Sequence, residues 1–190
     1  ETDMTSTLKV DNIAHSGGTT GMTINSSGQV DLPQNNNISM FGLQANQNVT
    51  STVTLTNWGQ MNSQTHYGFK TVGSAMNVSS GIFTASKLGV YRVYSEIHVV
   101  KGSDTRWIQA DIKFKPNGGS FIGGDIYDFL AVAESTTTYL TINRTRYYNF
   151  NHAGDECKLQ VGSSQSLQIN GEANNFDTMI CFEWIAPPVA

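Results

Sequence analysis

The sequence predicts an all-β protein, a sandwich or barrel of short antiparallel strands, and three observations predict it. Charged residues make up only 14% of the chain and hydrophobic ones 38%, so much of the polar surface falls to Asn, Ser, Thr, Gln and Gly, a composition that suits pleated surfaces and turns better than helices. Several segments alternate apolar and polar residues with period two, and none sustains a helical period of 3.6. Clusters of turn formers separate those segments: "KGSD", "PNGG", "NHAGD" and "NGEANN".

The first 35 or so residues hold short apolar pairs, Leu8 and Val10, Met22 and Ile24, Val30 and Leu32, with "HSGGTTG" and "NSSGQ" as turns between them. Three strands this short bury too little to form a core alone. Either copies around a symmetry axis supply the burial, or the segment is a tail. "PQNNNIS" at 33 to 39 marks a boundary, because Pro33 lacks a ladder donor and the Asn run favours turns. The expected organisation is a β-rich stalk or attachment segment over 1–40 and a head domain over 41–190.

Within the head, "VYRVYSEIHVV" sets Tyr91, Val93, Ser95, Ile97 and Val99 against Arg92, Tyr94, Glu96 and His98. "RWIQADIKFKP" sets Ile108, Ala110, Ile112 and Phe114 against Trp107, Gln109, Asp111 and Lys113, as in a half-buried strand. "TTTYLTIN" and "ECKLQV" alternate likewise. The last strand differs. "DTMICFEWIAPP" carries Ile180, Phe182 and Trp184 on one face and Met179, Cys181 and Ile185 on the other, interrupted by Glu183. A strand apolar on both faces needs cover on both, here from a neighbouring subunit or from a loop and the Pro-Pro tail.

"GIFTASKLGVY" at 81 to 91 places Gly81, Phe83, Thr84, Gly89 and Tyr91 in the spacing G-x-F-T-x-x-x-x-G-x-Y. This resembles the strand-turn-strand signature of the complement C1q globular head in the C1q/TNF-like jelly-roll superfamily. "LTINRTRYYNFNHAGDECKLQV", with Gly154 and Asp155 at its turn, is similar to a second motif of that family, and the hydrophobic closing strand between Phe176 and Pro187 to a third. Two departures stand out: Ser86 replaces the family's proline, and the closing strand lacks the family's small-residue pattern. The resemblance implies a C1q/TNF-like jelly-roll β-sandwich that assembles as a compact homotrimer. The N-terminal stretch also resembles segments that precede C-terminal heads in tail fibres of bacteriophages and in other virion fibre proteins.

Other functions find little support. Net charge is −4, which offers no footprint for nucleic acid, and no apolar run approaches the roughly 18 residues of a membrane span. The chain opens on Glu1 rather than Met, as a processed chain or a fragment would. Cys157 and Cys181 could form one bridge, although two buried thiols is the simpler reading. Five N-x-S/T sequons, at Asn25, Asn37, Asn48, Asn77 and Asn143, are near the number that an Asn-, Ser- and Thr-rich chain holds by chance. His15, His66, His98 and His152 show no metal-ligand spacing, "GGSFIGGD" is no phosphate loop, and no nucleophile elbow occurs. Asp125, Asp128 and Glu134 could ligate Ca²⁺, which some members of the resembling family bind near their apex, but solvated surface is the simpler reading. No enzyme and no cofactor are expected.

The expectation is a homotrimeric virion fibre protein, from a bacteriophage, whose head binds a host-surface glycan or protein receptor while the N-terminal segment engages other virion proteins. Met179, Cys181 and Ile185 are expected at the trimer interface. Turns at 101 to 106, 131 to 136 and 170 to 176, carrying Asp104, Arg106, Glu134, Asn174 and Asn175, are expected to contact the receptor at the far end. Two other readings are a capsid-decorating fibre protein with no receptor and a secreted C1q/TNF-like ligand. The latter predicts a collagen-like or membrane-anchored stalk, whereas the stretch seen here has no Gly-X-Y repeat.

Overall fold

The computed structural model describes residues 12–14, 20–24, 30–31, 38–61, 75–101, 107–122, 127–128, 138–172 and 177–189, with 12–14, 20–24, 30–31, 127–128 and 138 described by backbone alone. The chain forms two compact units, Glu1–Asn36 and Asn37–Ala190. In the first, β1 (Asn12–Ala14), β2 (Thr20–Ile24) and β3 (Val30–Asp31) make a three-stranded antiparallel sheet in that order. Met22, Ile24 and Val30 fall in strands as their alternation predicts. Leu8, Val10 and Leu32 lie outside the described residues, and β1 carries no apolar pair that would signal it.

The second unit begins with β4 (Ile38–Leu43), β5 (Ala45–Val49), β6 (Val53–Thr54), β7 (Trp58–Gln60), β8 (Met76–Ser79) and β9 (Ile82–Ala85). It continues through β10 (Gly89–Lys101), β11 (Ile108–Lys115), β12 (Tyr127–Asp128), β13 (Thr138–Phe150), β14 (Glu156–Ser163), β15 (Leu167–Glu172) and β16 (Met179–Ala186). No helix occurs among the described residues, and so none long and apolar enough to cross a membrane.

Two antiparallel sheets enclose one core. In the front sheet β13 pairs with all of β10, from Gly89↔Phe150 to Lys101↔Thr138. The other edge of β10 is shared: β16 covers Val90 to Glu96 and β15 covers Val99 to Lys101. β15 and β16 are thus two halves of one closing strand, interrupted by an excursion between Ile169 and Met179. β4 and β5 repeat the arrangement on the far side, β4 along β16 and β5 along β15, and β7 extends the sheet beyond β4. The back sheet runs β12-β11-β14-β9-β8, with β6 also on β14. Ile38 lies beside Glu183 at one end of the front sheet, whereas Lys101, Thr138, Leu167 and Val49 meet at the other.

The alternation along β10 is realised: Tyr91, Val93, Ser95, Ile97 and Val99 are buried. Two aromatic groups fill the core. Phe83 contacts Phe41, Trp58 and Phe182 with ring centroids 4.9 to 5.8 Å apart, and Phe150 packs edge-on against Tyr91 and Phe114 at 5.2 Å. The spacing of "GIFTASKLGVY" follows from this packing. Gly81 has φ +79° and faces the Leu55 carbonyl, which a Cβ would approach to 2.3 Å. At Gly89, with φ +156°, a Cβ would lie 2.1 Å from Trp184 Nε1, and that indole N–H donates to Leu88 O. Tyr91 begins the inward face and donates its hydroxyl to Lys87 O at 2.5 Å, closing the turn.

Asp155 in the "NHAGD" turn is fully buried, and its carboxylate accepts from the backbone N–H of Asn117, Asn151 and His152 at 2.8, 2.8 and 2.9 Å. It ties two neighbouring turns together by the orphan donors that each would otherwise leave buried.

One strand departs from its expected pattern. β11 is buried on both faces, since Gln109, Asp111 and Lys113 are as enclosed as Ile108, Ala110, Ile112 and Phe114. Part of the reason is that β13 reaches across the open side of the sandwich to it. Arg144 Nε donates to Ala110 O, the Tyr148 hydroxyl donates to Ile112 O, and Arg146 Nη2 meets Asp111 Oδ1 at 3.0 Å. Lys113 stands 3.5 Å from the other Asp111 oxygen. The polar half of β11 therefore belongs to a lateral seam of the sandwich.

Candidate functional site

Strand pleating puts every second residue of the front sheet on its outward face, and the register aligns them in rows across β13, β10, β16 and β4. One row reads Tyr147, Arg92, Glu183, Ile38; the next reads Thr145, Tyr94, Cys181, Met40; the third reads Asn143, Glu96, Met179, Gly42. The small side chains of Thr145 and Cys181 stand between larger neighbours, and the gap is a cavity of about 250 Å³ lined by Arg92, Tyr94, Thr145, Tyr147, Cys181 and Glu183.

The polar groups on this face pair with one another. Arg92 Nη2 lies 2.6 Å from Glu183 Oε2. Glu96 takes His98 Nε2 on one carboxylate oxygen and the Tyr94 hydroxyl on the other, each at 2.9 Å. The His98 hydrogen bond is the main reason that the Glu96 carboxyl sits below its ordinary pKa, and burial helped by Glu96 pushes the Tyr94 phenol up to about 12. Among these pairs lie partly exposed apolar groups: Met179 and Cys181 are half-buried, Ile185 is 48% exposed beside an irregularity in the β10–β16 register, and Tyr147 and Tyr139 on β13 are 64% and 75% exposed.

Met179, Cys181 and Ile185, singled out from sequence as interface residues, therefore all reach the outward side of the closing strand, and none is fully enclosed by its own chain. Asp104, Arg106, Glu134, Asn174 and Asn175 lie outside the described residues, as does Asp125, and of Asp128 only the backbone is described. Sequence reasoning did not single out Arg92, Tyr94, Thr145, Tyr147 or Glu183 as site residues. The signal was present in part: β10 alternates core residues with Arg, Tyr, Glu and His, a mixed face unlike that of a plain solvated strand.

The cysteines are free thiols on different sheets, Cys157 in the core and Cys181 on the outward face. Burial pushes Cys181 up to about 11 and Cys157 higher still, so neither is an activated nucleophile. Among the described residues no group of three or more His, Cys, Asp or Glu could hold a metal ion. What this face offers chemically is complementary contact: aromatic edges, thioethers, the Arg92–Glu183 ion pair, the hydrogen-bonded Glu96 and a cavity the size of one side chain.

Neither a protein-family model nor a curated protein sequence matches the chain. Solved structures do. The chain is similar to Eiger TNF from S. frugiperda, with a TM-score of 0.58 and 14% identity over 80% of this chain and 94% of that one. It is likewise similar to murine APRIL at pH 5.0, with a TM-score of 0.54 and 12% identity over 78% and 99% of the two chains. At such identity the likeness establishes the fold: the unit is a TNF-like jelly-roll β-sandwich.

Proposed function

We propose that this chain is the receptor-binding head of a homotrimeric viral fibre, from a bacteriophage, acting outside the cell and held to the virion through its N-terminal sheet. The observation that carries the assembly is the outward face of β13, β10, β16 and β4. Half-buried Met179 and Cys181, exposed Ile185 and Tyr147, and an open cavity form a face that water covers poorly. Its charged groups already have partners within the chain, Arg92 in an ion pair with Glu183 and Glu96 in hydrogen bonds with Tyr94 and His98, which lowers the cost of enclosing them. The resemblance to C1q heads supports three copies. The short strands of the first unit support a fibre, because strands of two to five residues gain most from neighbouring copies.

The chain enters the jelly roll at Ile38, beside Glu183, and the opposite end at Lys101, Thr138 and Leu167 is left for recognition. Two measurements test the reading. Light scattering is expected to give three times the chain mass, and the soluble protein is expected to compete with the parent virion for host cells. A monomer, or a trimer that leaves adsorption untouched, removes the receptor-binding fibre head. A second reading, a secreted TNF-like ligand, is favoured by the likeness to Eiger TNF and APRIL. It is separated from the first by saturable binding to animal cells without any effect on virion adsorption.

A further inference from the structure

We infer that assembly through the outward face is coupled to proton uptake. The Glu96 and His98 pair of each copy binds one proton more in the trimer than in the lone chain, so copies associate more tightly as pH falls from about 8.5 to about 6. This regulation rests on the reading of that face as the surface where copies meet.

The charges of the face do not cancel. Arg92 and Glu183 neutralise each other at 2.6 Å. Glu96 has hydrogen bonds instead, from His98 Nε2 on one oxygen and the Tyr94 hydroxyl on the other, each at 2.9 Å. Neither donor offsets its charge while His98 is neutral, as imidazoles are above the range of about pH 5 to 8 in which they titrate. Every copy then brings an uncompensated carboxylate to the contact. In the lone chain water reaches it, since the Glu96 and His98 side chains are 33% and 36% exposed. A second copy laid over them excludes that water, and a carboxylate enclosed without a countercharge costs far more than one enclosed in a neutral pair. One added proton per copy makes the cluster neutral.

Among the described residues, no other group facing the pair supplies a countercharge. β13 sets Asn143 opposite Glu96 and Thr141 opposite His98, and β16 sets Met179 opposite Glu96 with Gly42 of β4 beyond it. Where β16 has not begun, Thr178 accepts the His98 N–H, and Asp177 before it makes no ion pair with His98. Arg92 stands further along β10, about 13 Å from Glu96 at the rise of a strand, and is engaged with Glu183.

The cluster holds the added proton without moving a heavy atom. On His98 it makes an imidazolium bonded to the carboxylate. On Glu96 it occupies Oε2, which then donates to the Tyr94 oxygen, while the Tyr94 hydroxyl turns to Asn143 Oδ1 at 3.1 Å. Both placements leave the same charge, so the two groups titrate as one unit. The Glu96 carboxyl lies below its ordinary pKa in the lone chain, chiefly through His98, which favours the first placement.

Sedimentation equilibrium of the whole chain between about pH 8.5 and about pH 6 tests this, joined by the urea concentration that dissociates half of the trimer at fixed chain concentration. The parent's half-assembly concentration is expected to fall by at least about tenfold over that range, with the urea value rising, for uptake of up to one proton per chain. Glu96→Gln has no charge to neutralise. It is expected to assemble at about pH 8.5 as tightly as the parent does at about pH 6, with less than about a twofold change between the two. His98→Gln keeps the carboxylate but not the imidazole, and is expected to stay at the parent's weak alkaline value throughout. Circular dichroism at each pH establishes that both variants are folded. His15, His66 and His152 remain in both, so a pH dependence that survives either substitution belongs to them and overturns the inference. A parent trimer whose stability is flat with pH, or rises with it, overturns the inference as well and leaves the assembly reading standing. A chain that is monomeric at every pH removes that reading, and the proton linkage with it.

Discussion

Glu96 lies between two donors on the outward face of β10, with His98 on one oxygen and Tyr94 on the other. Because its carboxyl titrates below the ordinary value in the folded chain, the ionised form is favoured by folding. That contribution is present above the unfolded glutamate pKa of 4.5 and is lost as pH falls through the lower folded value. From β13 it faces Asn143 and from β16 Met179, so no other charge stands directly opposite. The urea midpoint of the parent is expected to fall more steeply below about pH 4.5 than that of Glu96→Gln. Parallel pH curves for the two proteins would show that the His98 and Tyr94 contacts carry no such linkage. Tyr94 and Cys181 act in the other direction, since raised phenol and thiol pKa values stabilise the fold below their unfolded pKa and that gain fades as pH climbs toward 11 or 12.

The interrupted closing strand shows how a sheet tolerates an insertion. Where β15 leaves and β16 has not begun, β10 presents the His98 N–H and β4 the Leu43 N–H without a ladder partner. Thr178 accepts both, His98 N on its hydroxyl at 3.0 Å and Leu43 N on its carbonyl at 2.9 Å, and is itself fully buried. Thr178→Val keeps the shape and removes the hydroxyl, so it is expected to lower stability by about 1 to 3 kcal/mol, while Thr178→Ser stays within about 0.5 kcal/mol of the parent. Equal urea midpoints for Thr178→Val and the parent would refute the role. Sequence pattern alone identified "NGEANN" as a break but not that the strands on either side line up on one partner, because register is set by β10 and not by local residues. It read β10, β14 and the inward face of β16 from their alternation. It missed the second buried face of β11, because the cover for Asp111 comes from Arg146, 35 positions away. Gly81 and Gly89 were readable because backbone conformation and close approach each leave a mark at a single position.

For the whole molecule, the face proposed for assembly is the outward side of the front sheet, where aromatic, apolar and charged groups of β13, β10 and β16 lie side by side. The outward face was only partly legible, since Met179, Cys181 and Ile185 belong to one strand whereas the cavity between Arg92, Tyr94, Thr145 and Tyr147 exists only once three strands are in register. Cys181 borders that cavity, so Cys181→Arg has room to fold as a single chain but not to pack a second copy against the same place. The variant is expected to keep the parent's circular dichroism and to scatter light as a monomer; a variant that stays trimeric would move the interface elsewhere.

The excursion between Glu172 and Asp177 has a practical side. Gly171 and Thr178 are bonded into the sheet on both flanks, by Asn46 on one and by His98 and Leu43 on the other, so the frame does not depend on what is strung between them. Exchanging residues 173–176 for sequences of other lengths is therefore expected to leave the register of β15 and β16 on β10 unchanged.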